Sequence, residues 1–266
     1  MRNKYVEFFL PASVSEFLRG SLPARVWKGI CRLDRWFLDL LYPPRCPVCD
    51  KVVLAGEGLC SDCRNVVQKI GEPACMKCGK PLGSARKEFC FDCGRKKHSF
   101  QQGKALWVYE KGVRGSIYRF KYQNRREYGR VYAAEIAKQY AEWIWSRKIQ
   151  GIVPVPLHRN RKKRRGYNQA EVLARELGEI LGIPVYTDVL IRVRDTKPQK
   201  VLNDAERKYN LKNAFKTGGN VVQLQYVLIV DDIYTTGSTL DAAAAALLLA
   251  GVLEVYACCI SIGTDG

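Results

Sequence analysis

Four Cys-x-x-Cys pairs within 48 residues constrain the fold of this 266-residue chain more than any other feature. The gaps between successive pairs are 10, 11 and 11 residues, and the pairs are Cys46/Cys49, Cys60/Cys63, Cys75/Cys78 and Cys90/Cys93. A Cys-x-x-Cys turn places two thiolates on one edge of a tetrahedral zinc site, and a gap of about ten residues lets another turn supply the opposite edge. Eight thiolates therefore predict about two structural Zn²⁺ ions, each closed to water by four cysteines.

Disulfides and redox-active Cys-x-x-Cys motifs are the alternatives to zinc, and a regular series of four pairs argues against both. Spacing alone leaves the pairing open. In the sequential arrangement, which we favour, Cys46, Cys49, Cys60 and Cys63 form one site and the other four cysteines form the second. A crossed arrangement satisfies tetrahedral ligation equally well.

The composition predicts a folded chain with a polyanionic partner. The hydrophobic content of 47% excludes wholesale disorder. The 44 Lys and Arg residues against 26 Asp and Glu give a formal net charge of +18. This charge suits nucleic acid, a phosphate-rich metabolite or an acidic membrane surface. The chain has no run of about 18 apolar residues and does not open on a signal peptide, so we expect no membrane span and a cytoplasmic location.

Three segments differ in pattern. Residues 1–44 predict an N-terminal helical extension, because apolar residues recur at helical spacing over residues 22–41 before Pro43. That helix would pack on the rest of the protein or lie on a membrane surface. Residues 45–97 form the predicted double zinc ribbon, and residues 98–266 form a predicted α/β domain.

The α/β domain alternates predicted strands and helices, which predicts a parallel twisted sheet flanked by helices. The predicted strands are Ala105–Tyr109, Gly151–Pro156, Val185–Val193, Tyr226–Val230 and Val255–Ile262. The predicted helices are Glu127–Arg147, Asn168–Leu181 and Ser238–Ala250.

The segment after the strand Tyr226–Val230 carries the strongest ligand-binding signal. The strand leads into Asp231 and Asp232, and the sequence TTGST then opens a helix. Ligands of parallel sheets bind at the carboxyl ends of strands, and a helix N-terminus with hydroxyls and backbone amides binds phosphate. Two carboxylates repel phosphate but suit a ribose diol with a divalent cation, so the segment predicts a ribose 5-phosphate site. Ser238 and Asp241 also fit a capping box.

A basic loop follows the strand Gly151–Pro156. Six of the residues 159–165 are basic: Arg159, Arg161, Lys162, Lys163, Arg164 and Arg165. The run would be a solvated surface, a pyrophosphate-binding loop or a contact for a nucleic-acid backbone. Its position after a strand end favours the same cleft as the acid pair.

Two further stretches are candidate sites. Residues 192–215 form a polar, basic loop that would act as a lid and that contains Lys197. Residues 118–130 interleave aromatic residues with Lys121, Arg125 and Arg126. Such a pattern suits stacking on single-stranded bases, or an amphipathic helix with its aromatic face packed inward, which we slightly favour.

The segment VLIVDDIYTTGSTL resembles the signature by which type I phosphoribosyltransferases bind 5-phosphoribosyl 1-pyrophosphate (PRPP). The resemblance departs at Tyr234, where those enzymes more often carry an aliphatic residue. It implies that Asp231 and Asp232 contact the ribose. It also implies that the 5-phosphate is bound by Thr235, Thr236, Gly237, Ser238 and Thr239.

Several motifs in one order resemble the ComF family, which is linked to DNA uptake in bacterial competence. They are LLYPPRCPVC, the Cys-x-x-Cys pairs, FKYQNRREYGR, VPVPLHRNRKKRRGYNQAEVLA, TKPQKVLNDAERKYNLKNAF and VLIVDDIYTTGSTL, within residues 40–262. The resemblance implies a zinc ribbon joined to a type I phosphoribosyltransferase-like domain.

Two functions follow as hypotheses. In the first, the protein is a phosphoribosyltransferase that binds PRPP with Mg²⁺, and the catalytic candidates are Asp231, Asp232, Arg164, Arg165 and Lys197. In the second, it keeps the PRPP or nucleotide site without turnover and binds single-stranded DNA. The nucleic-acid candidates are Arg159, Arg161, Lys162, Lys163, Arg164, Arg165, Lys121, Arg125 and Arg126. Competence helicases or other DNA-processing proteins would be its partners. A transcriptional regulator that senses PRPP is a weaker third hypothesis.

Overall fold

The computed structural model describes residues 43–194, 214–218 and 224–264. Contacts divide the chain into two compact units, Met1–Cys46 with Asp50–Cys60 and Pro47–Cys49 with Ser61–Gly266. The predicted helix over residues 22–41 and the predicted lid residue Lys197 lie outside the described residues. Both therefore stay predictions, as do the domain boundaries after residues 44 and 97.

The described part of the first unit is a hydrogen-bonded turn. Arg45 and Val52 form an isolated antiparallel bridge. The guanidinium of Arg45 donates to the carbonyl of Asp50 at 2.8 Å, and the amide of Cys46 donates to the carbonyl of Lys51 at 2.8 Å. These bonds fix the backbone that presents Cys46.

A four-stranded parallel sheet forms the centre of the second unit, in the order β1-β6-β5-β2. Its strands are β1 Gly103–Val108, β2 Gly151–Pro154, β5 Tyr226–Tyr234 and β6 Glu254–Ile262. Val227, Leu228 and Ile229 of β5 are fully buried. Such an unbroken apolar run is typical of a central parallel strand that is covered on both faces. The predicted parallel sheet flanked by helices is thereby confirmed.

Seven helices accompany the sheet within the described residues. They are α1 Ser61–Val66, α2 Phe91–Arg95, α3 Lys111–Tyr122, α4 Tyr128–Ser146, α5 Arg159–Arg165, α6 Gln169–Leu181 and α7 Ser238–Leu249. The predicted helices correspond to α4, α6 and α7. The side chain of Asn168 accepts a hydrogen bond from the amide of Ala170 at the start of α6, and Gly182 ends that helix in the left-handed conformation. In the part of the chain that the structure describes, no helix has the length and apolar character to cross a membrane.

One predicted strand is wrong in extent. Instead of a strand over residues 185–193, Val185 makes only an isolated parallel bridge to Ile152. Leu190–Arg192 forms a short strand β3, which pairs antiparallel with β4, Phe215–Thr217. The polar residues Thr187 and Asp188 interrupt the apolar run, so the chain leaves the sheet between the two apolar ends.

The predicted basic loop is a helix, α5. Arg and Lys are good helix formers when nothing else opposes the helix. The ring of His158 accepts a hydrogen bond from the amide of Asn160 at the start of α5, and Gly166 ends it with a φ of 79°. The basic residues of the last turn also face the negative end of the helix dipole.

The second half of the cysteine block packs into the core of the second unit. Cys75, Cys78 and Cys90 are buried in the same cluster as Phe100 and Tyr234. An added Cβ on Gly79, which follows Cys78, would lie 2.9 Å from the carbonyl oxygen of Gly103. The turn after Cys78 therefore packs directly on the start of β1.

Candidate functional site

The acid pair lies inside β5 rather than after it. β5 continues to Tyr234, and Asp231 is in register with Cys259 of β6. The amide of Asp232 donates to a carboxylate oxygen of Asp231 at 2.8 Å. The two acids therefore lie in the last part of a central strand, at the carboxyl edge where parallel sheets bind ligands.

Two neighbouring carboxyl groups in a poorly hydrated position disfavour a double negative charge. Desolvation and then the charge of Asp232 raise the pKa of Asp231 to about 7, against the partial opposition of the nearby Lys121 and Arg192 cations. The ammonium of Lys121 lies 2.8 Å from Oδ1 of Asp232. Asp231 can therefore hold or release a proton near neutral pH.

Lys121 lies at the acid pair, although the sequence interpretation assigned it to a nucleic-acid surface. It is the second-last residue of α3, and its side chain is 17% exposed. The side-chain amide of Gln169, in the first turn of α6, donates to the Lys121 carbonyl at 3.4 Å. Spacing along the chain gave no signal for this placement, because α3 and β5 are more than 100 residues apart.

The predicted phosphate loop leads from β5 into α7. Gly237 caps α7 with a φ of 75°, in the left-handed region that favours glycine. The hydroxyls of Thr236 and Ser238 lie 2.8 Å apart, and Ser238 begins the helix. Hydroxyls and the first amides of α7 are thus gathered in one place, as a phosphate group requires.

The capping-box interpretation of Ser238 and Asp241 is wrong. Helix α7 has no side-chain cap. The carboxylate of Asp241 instead lies 2.8 Å from Nδ1 of His98 and accepts a hydrogen bond from the amide of Ser99 at 2.9 Å. His98 is buried, and its bond to Asp241 gives it a structural role. It ties the segment after the cysteine block to the first turn of α7.

Tyr234 packs against the predicted phosphate loop. Its ring is 3% exposed and packs edge-on against Phe100, with ring centroids 6.3 Å apart. A Cβ added to Gly237 would lie 2.5 Å from the Tyr234 hydroxyl oxygen. The residue that departs from the phosphoribosyltransferase signature is therefore the one in contact with the loop.

Helix α5 follows β2, the neighbour of β5, so its basic residues begin near the same sheet edge as the acid pair. Its residues differ in their contacts. Arg165 donates to the Tyr122 hydroxyl at 3.0 Å and to Gln169 at 3.1 Å, whereas Arg164 is exposed. Lys162 pairs with Glu171 at 3.4 Å. Arg159 and Lys163 are exposed, and Arg161 is half-buried.

The stretch 118–130 divides between core and surface. Phe120 and Tyr128 are fully buried, which confirms the inward aromatic face. Tyr118 and Tyr122 are exposed, with ring centroids 5.1 Å apart, and the guanidinium of Arg165 lies 4.8 Å from the Tyr122 ring centroid. This stretch therefore also contributes an exposed surface of aromatic rings and cations.

Two further cations of this stretch have different partners. The guanidinium of Arg126 lies 4.7 Å from the centroid of the Tyr167 ring. Arg125 is half-buried and lies 3.6 Å from Glu127. Of the three cations predicted in this stretch, Lys121 thus turns to the acid pair, whereas Arg125 contacts Glu127 and Arg126 contacts the Tyr167 ring.

The eight cysteines form two groups. In each group the four sulfur atoms lie within 4.8 Å of one another, and the groups are Cys46, Cys49, Cys60, Cys63 and Cys75, Cys78, Cys90, Cys93. The sequential pairing is confirmed and the crossed one is wrong. The sulfur atoms of Cys78 and Cys90 are 3.7 Å apart, close to the edge of about 3.8 Å of a ZnS₄ tetrahedron with Zn–S bonds of about 2.3 Å. Both groups therefore fit a structural Zn²⁺.

Cys258 and Cys259 have no part in these groups. Both are buried in β6, and burial raises the pKa of the Cys258 thiol to about 12. They pack in the buried core.

Family models match both parts of the chain. The double zinc ribbon domain matches residues 37–94, and the phosphoribosyl transferase domain matches residues 163–263. The sheet, the site and the cysteine groups agree with these matches. Together they define a phosphoribosyltransferase-like protein with a double zinc ribbon.

Curated relatives place the chain in a family. Competence protein F of Haemophilus influenzae is 34% identical over 207 residues, which cover 76% of this chain and 89% of the relative. DNA utilization protein YhgH of Salmonella typhi is 33% identical over 83% of this chain and 98% of its own length. Competence protein ComFC of Bacillus subtilis is 29% identical over 73% of this chain and 80% of its own length. The chain belongs to the ComF family.

Proposed function

We propose that the protein binds PRPP with Mg²⁺ and transfers its phosphoribosyl group. The observation that carries the proposal is the continuous segment from Asp231 to Ser238. It joins an acid pair to a phosphate-binding loop at the carboxyl edge of the sheet. The ribose hydroxyls would bind the carboxylates, and the 5-phosphate would bind the loop. A cytoplasmic location accompanies the proposal, because thiolate ligands persist where conditions are reducing.

Lys121 has a defined part in this proposal. Its ammonium balances the negative charge of Asp232 before a ligand arrives. A ribose diol that donates to Asp231 and Asp232 would replace part of that interaction. Carboxylate oxygens are ligands that Mg²⁺ prefers, so Asp231 and Asp232 would hold the ion together with oxygens of PRPP, where it supplies positive charge for the pyrophosphate.

The reaction would exchange one bond at C1 of the ribose. The bond from C1 to the pyrophosphate oxygen breaks with its electron pair leaving on pyrophosphate, and a nucleophile of the acceptor forms the new bond to C1. Arg164 and Arg165 of α5, and Lys197 outside the described residues, are the proposed cations on the pyrophosphate side. Their role would be electrostatic, because no covalent intermediate is needed.

A screen of acceptors with pyrophosphate release as the readout tests the transferase proposal. Wild-type protein with PRPP, Mg²⁺ and the correct acceptor should release pyrophosphate, and Arg164→Ala should slow release. Lys138→Ala, which removes an exposed charge within α4, is the control. Release that is independent of acceptor, or equal in both variants, would count against phosphoribosyl transfer.

A second candidate function is single-stranded DNA binding, and it rests on the exposed rings of Tyr118 and Tyr122 beside Arg165. Bases stack on such rings, while a basic helix such as α5 neutralises the backbone. The names of two relatives refer to competence and to DNA utilization, which supports this function. Proteins that process incoming DNA would then be partners.

Fluorescence anisotropy with a labelled single-stranded oligonucleotide tests this second function. Binding should weaken steeply with salt, and neutralising Arg161, Lys163 and Arg164 should flatten the salt dependence. Tyr122→Leu should weaken binding, whereas Trp145→Leu, which changes an exposed ring on α4, should not. Equal effects of the two ring substitutions would argue against a stacking surface.

A further inference from the structure

A cavity of about 520 Å³ opens beside the phosphate loop. Thr236 and Ser238 line it at the start of α7, and the small side chains of Ala242 and Ala245 continue its wall along the helix. A phosphate bound by the loop hydroxyls would therefore have this space in front of it.

A second part of the lining comes from the end of the segment that the sequence predicts as the zinc ribbon. It consists of Arg95, Lys96 and Lys97, the residues that follow the last cysteine of the second group. We call these three residues the ribbon arm. Among the described residues that line the cavity, Asp241 is the one acid. Its carboxylate is already engaged by His98 and by the amide of Ser99, so three cations face the space against a single occupied carboxylate.

The ribbon arm is held at both ends. On its N-terminal side, the amide of Lys96 donates to the Asp92 carbonyl at 2.9 Å, and the guanidinium of Arg95 lies 4.0 Å from the centroid of the Phe91 ring. On its C-terminal side, the bonds of His98 and Ser99 to Asp241 fix it to α7. A cationic wall that is ordered before binding spends little free energy on ordering when an anion arrives.

We propose that Arg95 and Lys97 bind the phosphate group held by residues 235–239, so that the zinc ribbon forms the cationic half of the phosphate pocket. The inference rests on the proposed function and adds the cations that would contact the bound phosphate. Guanidinium and ammonium groups that line one cavity together with hydroxyls at a helix start make a site for a phosphate monoester such as a sugar 5-phosphate. The ribbon would then act directly in ligand binding as well as in folding.

Calorimetry with ribose 5-phosphate, PRPP and inorganic phosphate tests the proposal. The variant Arg95→Ala/Lys97→Ala should bind ribose 5-phosphate about tenfold more weakly or worse, because two charge-assisted contacts are lost. The control Arg86→Ala/Lys87→Ala removes the same charge from exposed residues of the same ribbon half, outside the cavity. It should bind within about twofold of wild type.

The outcomes separate this inference from the proposed function. Equal loss of affinity in the two double variants would mean that overall positive charge, and not Arg95 and Lys97 in particular, attracts the phosphate. That result would overturn the inference, as would unchanged affinity in both variants. If wild type binds PRPP and the ribbon-arm variant binds it equally well, the proposed function stands and the inference fails. If wild type does not bind PRPP but binds inorganic phosphate through Arg95 and Lys97, the inference stands and the proposed function fails.

Discussion

The ammonium of Lys121 lies 2.8 Å from a carboxylate oxygen of Asp232, and this ion pair joins the end of α3 to the last part of β5. It places a cation against two adjacent acids. Within the part of the chain that the structure describes, Asp231 makes no ion pair of its own. The consequence is a division of roles within the pair. Asp232 is matched by a charge, whereas Asp231 has a pKa raised to about 7.

The variant Asp231→Asn should be more stable than wild type at pH 8. In the folded wild type, Asp231 keeps a proton that the unfolded chain releases from about pH 3.8 upward, so the free energy of unfolding falls as pH rises towards about 7. Asparagine keeps an acceptor for the Asp232 amide and has no charge to bury. Relative to wild type, we expect the free energy of unfolding to be higher by about 1 to 3 kcal/mol at pH 8, and the difference should shrink towards pH 4. Urea unfolding at a series of pH values measures it.

Asp232→Asn is the matched control for that pH dependence. It removes the partner of Lys121 and leaves Asp231 as the remaining acid of the pair. The gain in the free energy of unfolding at pH 8 should then be smaller than for Asp231→Asn. Equal gains that do not vary with pH would refute the assignment of the raised pKa to Asp231.

Gly237→Ala should lower both the melting temperature and the affinity for ribose 5-phosphate. The substitution adds a Cβ that would lie 2.5 Å from the Tyr234 hydroxyl, at a φ of 75°. Both the contact with Tyr234 and the positive φ would destabilise the variant. Gly251→Ala isolates the effect of the positive φ, because Gly251 has a φ of 102° with nothing within 4 Å of an added Cβ. Differential scanning fluorimetry and calorimetry should show a larger loss of stability for Gly237→Ala, and a loss of affinity for that variant alone. Matching losses would mean that Tyr234 does not support the loop.

The two zinc sites should differ in what they support. Cys90→Ser and Cys49→Ser should each reduce the zinc content from about two ions per chain to about one, measured by elemental analysis. Cys90 is buried in the core cluster that contains Phe100 and Tyr234, whereas Cys49 is exposed. Cys90→Ser should therefore lower the melting temperature more and weaken phosphate binding. A zinc content that stays near two in both variants would contradict the ligand assignment.

Local patterns in the sequence were enough for the parallel sheet, for the place of the acid pair and the TTGST turn at its carboxyl edge, and for the cysteine groups. An apolar strand, a glycine at a helix start and regular cysteine spacing each act over a few residues. The contacts that complete the site join residues that are far apart in the sequence. His98 and Asp241 are 143 residues apart, so no local pattern could distinguish their bond from a capping box. The loop prediction for residues 159–165 was wrong. His158 and Gly166 cap the segment at its two ends, which stabilises a helix.

Calorimetry of PRPP with Mg²⁺ tests the central claim most directly. Wild type should bind about one equivalent, and Asp231→Asn/Asp232→Asn should bind at least tenfold more weakly because the carboxylates for the ribose diol and Mg²⁺ are gone. The double variant should melt no earlier than Asp232→Asn, which shows that lost binding is not lost folding. Absence of heat with the wild type, or undiminished binding by the folded double variant, would contradict the assignment of β5 and its loop as the PRPP site.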